Sequence, residues 1–167
     1  SKKEIHALPY IEAALAFTAQ APEPAAIMLK NSLEVLRNPN EVAAFDQLKV
    51  LMRQHSSLFS TSEARDIYMS AINYCIRRHN QGETQYTKEA LDLYKEALQK
   101  ELLLENGLLS KYTYGNINNL AHLVGESDWA KKFLETYRQS LPAIDRENVY
   151  KYNIAIHHFR NSEYSLT

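Results

Sequence analysis

The sequence has little of the residues that build disulfide-rich, turn-rich or membrane-spanning proteins. It contains one cysteine, four glycines and five prolines in 167 residues. A single cysteine excludes an internal disulfide and any metal site that needs several cysteines. So few glycines and prolines leave little material for the many turns of a β protein. No apolar run approaches the roughly 18 residues that a membrane span needs.

An excess of charge of one sign is also missing. Lys and Arg number 19 and Asp and Glu number 20, which gives a net charge of −1. Because affinity for nucleic acid depends largely on clustered Lys and Arg, this balance argues against a broad phosphate-binding surface. The first four residues do not resemble a signal peptide, and the sequence has no Asn-x-Ser/Thr glycosylation site. We therefore expect a cytoplasmic protein whose partner is neither a nucleic acid nor a membrane.

What the sequence does contain is an internal repeat. The segment 83–98 recurs at 126–141, so that Glu83 aligns with Glu126. Four further positions are identical in the two segments, namely Lys88 and Lys131, Leu91 and Leu134, Tyr94 and Tyr137, and Leu98 and Leu141. A third copy begins at 162–164. Self-similarity at such a period is typical of stacked helical repeats.

Apolar residues at spacings of three and four predict eight helices. Their expected ranges are about 9–20, 24–37, 42–55, 61–81, 83–102, 112–124, 128–141 and 146–161. Ser60 and Glu63 fit a capping box at the start of the fourth helix, and Gly82 and Asn106-Gly107 fit terminators of the fourth and fifth. Short links and no alternating strand pattern then predict an all-α superhelix of four antiparallel hairpins. We expect one domain over 1–167, with divergent hairpins in 1–60 and repeats at 62–106, 110–142 and 146–167, the last truncated.

Several motifs resemble the tetratricopeptide repeat (TPR). Residues 152–164 resemble its first helix and turn, with Ile154 and Ala155 at the Leu-Gly/Ala pair and Tyr164 at the turn aromatic. Residues 119–121 and 128–129 repeat this pattern. The second helix of the unit is matched by Ala90, Tyr94 and Ala97. Residues 71–78, 104–107 and 128–130 also resemble a bacterial group of longer TPR-like proteins with no assigned activity. The resemblance implies a TPR-like solenoid that acts as a protein–protein interaction scaffold.

In such solenoids the first helix of each repeat lines a concave groove that holds a peptide backbone or a C-terminal carboxylate. The register of the resemblance implies nine groove residues: Tyr74, Arg77, Arg78, Asn118, Asn119, His122, Tyr152, Asn153 and Arg160. Asparagine suits this role because its amide both donates and accepts hydrogen bonds. The alternative is an exposed polar face without a ligand, in which Arg77 and Arg78 only complement the dipole at the end of their helix.

No catalytic or cofactor motif is present. The sequence lacks the glycine-rich loops and the nucleophile elbow that mark common enzyme families. His157 and His158 are adjacent, so in a regular helix they point about 100° apart and cannot chelate one metal ion. Cys75 lies on an apolar stripe, which indicates a small buried side chain rather than a nucleophile. We expect no catalysis, no cofactor and no metal.

Three other functions stay open at this point: an RNA-binding helical-repeat protein, an enzyme that uses Cys75 or the histidines, and a structural spacer of a larger chain. The last repeat lacks its second helix, so Ile154, Ala155 and Phe159 are expected to have an uncovered side. We therefore expect that the chain is a fragment of a longer repeat protein, or that it self-associates through this C-terminal edge.

Overall fold

The computed structural model describes residues 23–38, 40 and 42–164. In these residues the chain forms seven α-helices, two short 3₁₀ turns and one two-stranded hairpin. The helical fold class is thereby confirmed, whereas a solenoid of eight helices stays a prediction. The helix predicted at 9–20 lies outside the described residues.

The chain divides into two compact units, residues 1–81 and residues 82–167. The division falls inside the segment 62–106, which the sequence predicts to be one repeat. The division of the chain into TPR-like repeats therefore stays a prediction, and each unit is described by itself below.

The described part of unit 1 contains three helices that all pack on one another. They are α1 (Glu23–Arg37), α2 (Val42–Gln54) and α3 (Thr61–Asn80), with a 3₁₀ turn at Ser56–Leu58 between the last two. The core is mostly apolar and is filled by side chains from all three helices: Met28, Val35, Phe45, Leu48, Met52, Ile67, Tyr68, Ile72 and Tyr74. Three polar side chains, Asn31, Ser32 and Ser70, are buried as well.

The ends of α3 follow from local sequence. The hydroxyl of Ser60 accepts a hydrogen bond from the backbone N–H of Glu63 at 3.3 Å. In return, the Glu63 carboxylate accepts the backbone N–H of Ser60 at 2.8 Å. This is the predicted capping box, and it satisfies two N–H groups that the first turn leaves without a helical partner. The helix ends before Gly82, whose φ of +95° is the left-handed conformation that glycine adopts readily.

The described part of unit 2 contains four helices, and α5 lies at their centre. They are α4 (Gln85–Gln99), α5 (Lys111–Leu123), α6 (Ser127–Tyr137) and α7 (Arg146–Tyr164). Helix α5 packs on the other three, and α6 also packs on α7. A 3₁₀ turn at Arg138–Ser140 follows α6, and α7 runs past the predicted end at Asn161. The central position of α5 explains why its apolar side, Tyr114, Ile117 and Ala121, is completely buried.

A β-hairpin joins α4 to α5, and it corrects two predictions. Strands β1 (Leu104–Glu105) and β2 (Leu108–Leu109) pair antiparallel, so the expectation of helix up to Leu102, and of no strands, is wrong. Helix α4 ends at Gln99, and Glu101 then takes a φ of +56° that no helix accommodates. Asn106 (φ +52°) and Gly107 (φ +77°) form the two-residue turn, and Asn-Gly is a preferred sequence for such turns.

The two segments that repeat in the sequence also share a burial pattern. Leu91 and its counterpart Leu134 are completely buried, and Leu98 and Leu141 are buried as well. Tyr94 is buried while Tyr137 is only half-buried, because α6 ends at Tyr137 whereas α4 continues past Tyr94. The pattern is therefore shared along most of the two helices and differs where α6 stops.

Candidate functional site

A concave feature of unit 2 lies between α5 and α7, and we call it the α5–α7 groove. It has a volume of about 400 Å³. It is lined from α5 by Lys111, Tyr112, Gly115 and Asn116, and from α7 by Asn148, Val149, Tyr152 and Asn153. Each helix thus contributes one tyrosine and at least one asparagine to the same groove.

The two tyrosines are the most exposed large groups of the groove. Tyr112 is 75% exposed and Tyr152 is 68% exposed. Tyrosine offers a rigid apolar ring with a polar tip, so it contributes much contact area at little entropic cost when a ligand covers it. The floor between the helices is open at Gly115, where an added Cβ would meet only Asn153 Oδ1 at 3.7 Å.

Charged and amide groups form the rim of the groove. Lys111 pairs with Asp145 at 3.0 Å, and both side chains are well exposed. The Asp145 carboxylate raises the pKa of Lys111 through this hydrogen bond and its charge. Asn116 hydrogen bonds to the buried Tyr94, whereas Asn148 lies exposed at the opposite wall. The rim therefore offers amides and one neutralised ion pair rather than a strong field of one sign.

Beneath the groove, α5 and α7 meet through polar side chains, which we call the Asn–His seam: Asn118, His122, Asn153 and His157. All four are buried. The Asn118 amide donates to the backbone carbonyl of Asn153 at 3.3 Å and to its side-chain oxygen at 3.2 Å. Asn153 in turn donates to the carbonyl of Val149 at 2.9 Å. These bonds fix the register of α7 on α5, because a shift by one residue would leave buried amides without partners.

The two histidines lie one helical turn beyond the two asparagines. Their ring centroids are 5.1 Å apart. His122 Nδ1 lies 3.2 Å from Ser127 Oγ, and His157 Nε2 lies 3.1 Å from the side-chain nitrogen of Asn161. The remaining ring nitrogens, His122 Nε2 and His157 Nδ1, have no hydrogen-bond partner among the described residues.

The electrostatic surroundings of the seam favour neutral imidazoles. Burial lowers the pKa of His122, and His157 and Arg160 lower it further. Burial also lowers the pKa of His157; His158 and Lys131 add to this effect, while two carboxylates on α6, Asp128 and Glu135, oppose it.

In unit 1 the predicted groove residues are engaged within the unit. Tyr74 is completely buried and stacks on Phe45, with ring centroids 4.4 Å apart. The Arg77 guanidinium donates to the backbone carbonyl of Val35. Arg78 donates to the side-chain oxygen of Asn40 at 3.4 Å. These contacts hold the end of α3 to the end of α1 and the turn that follows it.

The nine predicted groove residues therefore differ in burial and in whether they border the α5–α7 groove. Four of them are buried, namely Tyr74, Asn118, His122 and Asn153, of which Asn153 also borders the α5–α7 groove. Tyr152 lines the groove. Asn119 is exposed and accepts a hydrogen bond from Arg160 at 2.7 Å, beyond the groove residues on both helices.

Sequence reasoning missed six of the eight groove residues: Lys111, Tyr112, Gly115, Asn116, Asn148 and Val149. A signal for three of them exists in the spacing. Tyr112 and Asn116 are four residues apart on α5, as Asn148 and Tyr152 are on α7, and such pairs share one face of a helix. The TPR register drew attention to later positions on both helices instead.

A second, smaller cleft of unit 2 lies between α4 and α6 and has a volume of about 230 Å³. Trp129, Phe133 and Tyr137 of α6 line one wall, and Lys95 of α4 lines the other. Lys95 forms an ion pair with Glu126 and lies 4.5 Å from the centre of the Trp129 ring. The cleft is smaller than the roughly 300–1,000 Å³ of usual ligand pockets. Of the two lysines that line it, Lys95 and Lys132, Lys95 is already paired with a carboxylate.

Candidate catalytic and metal-binding groups were also placed. Cys75 is completely buried, as the apolar stripe predicts. His157 is buried while its neighbour His158 is exposed. Among residues 23–38, 40 and 42–164, no three His, Cys, Asp or Glu side chains are grouped so that they could hold a metal ion. In the same residues, no helix combines the length and the apolar character needed to cross a membrane.

Comparison with known proteins finds no family model, no curated protein and no solved structure that matches this chain.

Proposed function

We propose that this chain is a protein-interaction scaffold that binds an extended segment of a partner protein in the α5–α7 groove, without catalysis. The observation that carries the proposal is the pair of exposed tyrosines, Tyr112 and Tyr152, which line one open groove from two different helices. Exposed aromatic side chains around a cleft are typical anchors of protein interfaces.

Two further observations support this function. The amides of Asn116 and Asn148 border the groove, and amide side chains can pair with both the N–H and the C=O groups of an extended peptide. The shared burial pattern of segments 83–98 and 126–141 supports a TPR-like helical repeat, an architecture whose grooves are commonly binding surfaces.

A peptide selection tests the proposal. Peptides selected from a random display library on the immobilised full chain would be measured by fluorescence polarisation against wild type and variants. We expect Tyr152→Ala and Tyr112→Ala each to weaken binding about tenfold or more, which is about 1.4 kcal/mol. Phe159→Ala is the matched control, because Phe159 lies on α7, is 64% exposed and does not line the groove. We expect its affinity to stay at the wild-type value at concentrations at which sedimentation velocity shows both proteins to be monomers.

A groove-filling variant separates binding from folding. In Gly115→Ala the new methyl group would lie 3.7 Å from Asn153 Oδ1, an ordinary contact, so no clash is introduced. Alanine should stabilise α5 by about 1 kcal/mol relative to glycine, while the methyl narrows the groove. We expect higher stability together with weaker peptide binding. Selected peptides that bind all three groove variants as tightly as wild type would contradict the groove as the site.

We also propose that the chain pairs with a second copy through the outer stripe of α7, which consists of Tyr152, Ala155 and Phe159. All three side chains are exposed, and burial of one large apolar side chain gains roughly 1.5–3 kcal/mol. Sedimentation velocity would detect the dimer, and Phe159→Ser should shift the chain to monomer. A wild-type chain that stays monomeric up to high concentration removes this second proposal and leaves the groove proposal intact.

A further inference from the structure

The Asn–His seam and the α5–α7 groove are physically continuous. Asn153 belongs to both, because it lines the groove and accepts the Asn118 hydrogen bond in the seam. The groove walls, Tyr112 and Tyr152, come from the two helices that the seam holds together. Any change in the seam that moves α7 on α5 must therefore change the distance between the groove walls.

The seam contains two groups that can gain a charge near neutral pH. His122 is 5% exposed and His157 is 3% exposed. A proton added to either ring would bury a cation, which is costly unless a carboxylate or a hydrogen-bond acceptor compensates it. No acceptor for His122 Nε2 or His157 Nδ1 lies among the described residues. A proton added to His157 Nε2 would also remove the hydrogen bond that this nitrogen accepts from the Asn161 amide.

The charged groups around the pair make the balance unfavourable for a second positive charge. Beyond its burial, His122 is acted on by His157 and Arg160, and both lower the pKa of its imidazole. His157 faces His158 on α7 and Lys131 on α6, against the two carboxylates Asp128 and Glu135 of α6. With the rings 5.1 Å apart, two imidazolium ions would also repel each other directly.

We propose that protonation of the His122–His157 pair loosens the contact of α7 on α5 and thereby weakens ligand binding in the α5–α7 groove at acidic pH. The consequence for ligand binding rests on the function proposed above, whereas the loosening does not. Burial lowers the pKa of both imidazoles, so the change is expected below about pH 6.5, the usual histidine value. At neutral pH the seam is closed and the groove is formed.

An NMR titration of the full chain from pH 7.5 to pH 5.0 tests the loosening without any ligand. The reporters are the ring protons of both histidines and the backbone amides of Gly115 and Asn148. We expect the groove amides to shift with the same midpoint as the His122 and His157 rings. We expect the amide of Ala71 in unit 1 to stay unchanged over that range.

Two variants and one matched control complete the design. In a chain carrying both His122→Gln and His157→Gln, glutamine keeps a polar group but cannot titrate, so the groove shift should disappear. If circular dichroism at pH 7.5 shows that the double variant does not fold, the single variant His157→Gln replaces it. We expect this single variant to remove most of the shift of the groove amides. His158→Gln, at the exposed neighbouring position, should leave the shift as in wild type.

Four results would overturn the proposal. The histidine rings titrate while the groove amides stay still, or the glutamine variants keep the same groove titration. A third such result is that unit 2 unfolds as a whole with that midpoint. A fourth is that a selected histidine-free peptide binds equally well at both pH values, since we expect its binding at pH 5.0 to be about tenfold or more weaker than at pH 7.5. If the groove titrates as expected but no peptide binds at any pH, the proposed function fails and the seam proposal stands.

Discussion

The two units hold their helices together in different ways. In unit 1, α3 contacts α2 through the stacked rings of Tyr74 and Phe45, next to Leu48 and Met52 in an apolar core. In unit 2, α5 and α7 meet through buried asparagines and histidines of the Asn–His seam.

The difference shows what each kind of contact specifies. Apolar contacts are non-directional, so they stabilise many similar packings and do not respond to pH. Buried amides require partners in fixed directions, which defines one register, and buried imidazoles make that register depend on protons. Apolar contacts of the kind found in unit 1 therefore provide stability, whereas the Asn–His seam provides a packing that can change with pH.

The largest expected effect lies in the core of unit 1. Tyr74→Ala should lower the free energy of unfolding by about 3–5 kcal/mol, because it removes a fully buried aromatic ring and leaves a cavity against Phe45. Urea unfolding followed by circular dichroism measures the loss. Tyr112→Ala is the control, and its exposed ring should cost less than about 0.5 kcal/mol. Equal losses in the two variants would contradict the packing described for unit 1.

A smaller effect is expected in the Asn–His seam. Asn118→Ala should cost about 1–3 kcal/mol, because the side-chain oxygen of Asn153 loses its donor while it remains buried. A double-mutant cycle with Asn153→Ala should give a coupling energy of about 0.5–3 kcal/mol. A coupling energy near zero would show that the two amides do not act as a pair in solution.

The histidines should make the stability of unit 2 depend on pH. Because both have a lowered pKa in the folded chain, the unfolded chain binds more protons as the solution becomes acidic. Their contribution is fully present above about pH 6.5 and is lost as the pH falls from there through the lowered folded pKa. Thermal unfolding followed by the fluorescence of Trp129 should show this loss. His122→Gln should flatten the profile, and a wild-type profile that is already flat would contradict the sign.

The smallest effect is expected at the N-cap residues, which immediately precede α3 and α4. Ser60→Ala should destabilise the protein by about 1 kcal/mol, because it removes the capping box of α3. Thr84 is the matched control, since it occupies the same position before α4 and makes no side-chain capping bond. Thr84→Ala should therefore change the urea midpoint much less than Ser60→Ala does.

Local signals in the sequence were enough to predict the helical class and most of the secondary structure. The periodicity of apolar residues located the seven described helices, and Ser60 and Glu63 marked the start of α3, because both depend only on neighbouring residues. The hairpin was missed although Asn106-Gly107 between leucines is a recognised hairpin sequence. From the sequence alone, Asn106-Gly107 is assigned as a helix terminator, because these two residue types also end helices.

The candidate site was less predictable, because side-chain direction depends on contacts between distant residues. Asn118 and His122 look like surface groups on their own helix and are buried only because α7 supplies Asn153 and His157 at the same interval. That repeated pairing of residue types was the available signal. The TPR register included Tyr152, which borders the groove, and Tyr74, which is buried in unit 1. The nine residues as a binding site stay a prediction.

Cys75 gives the molecule a built-in reporter of its own opening. It is the sole thiol of the chain, and it is completely sealed within the apolar core of unit 1. A thiol reagent can react with it only after the surrounding helices separate, so the rate of modification counts those separations without any engineered label. A change in the rate of Cys75 modification when a peptide is added would show that binding in unit 2 affects the opening of unit 1.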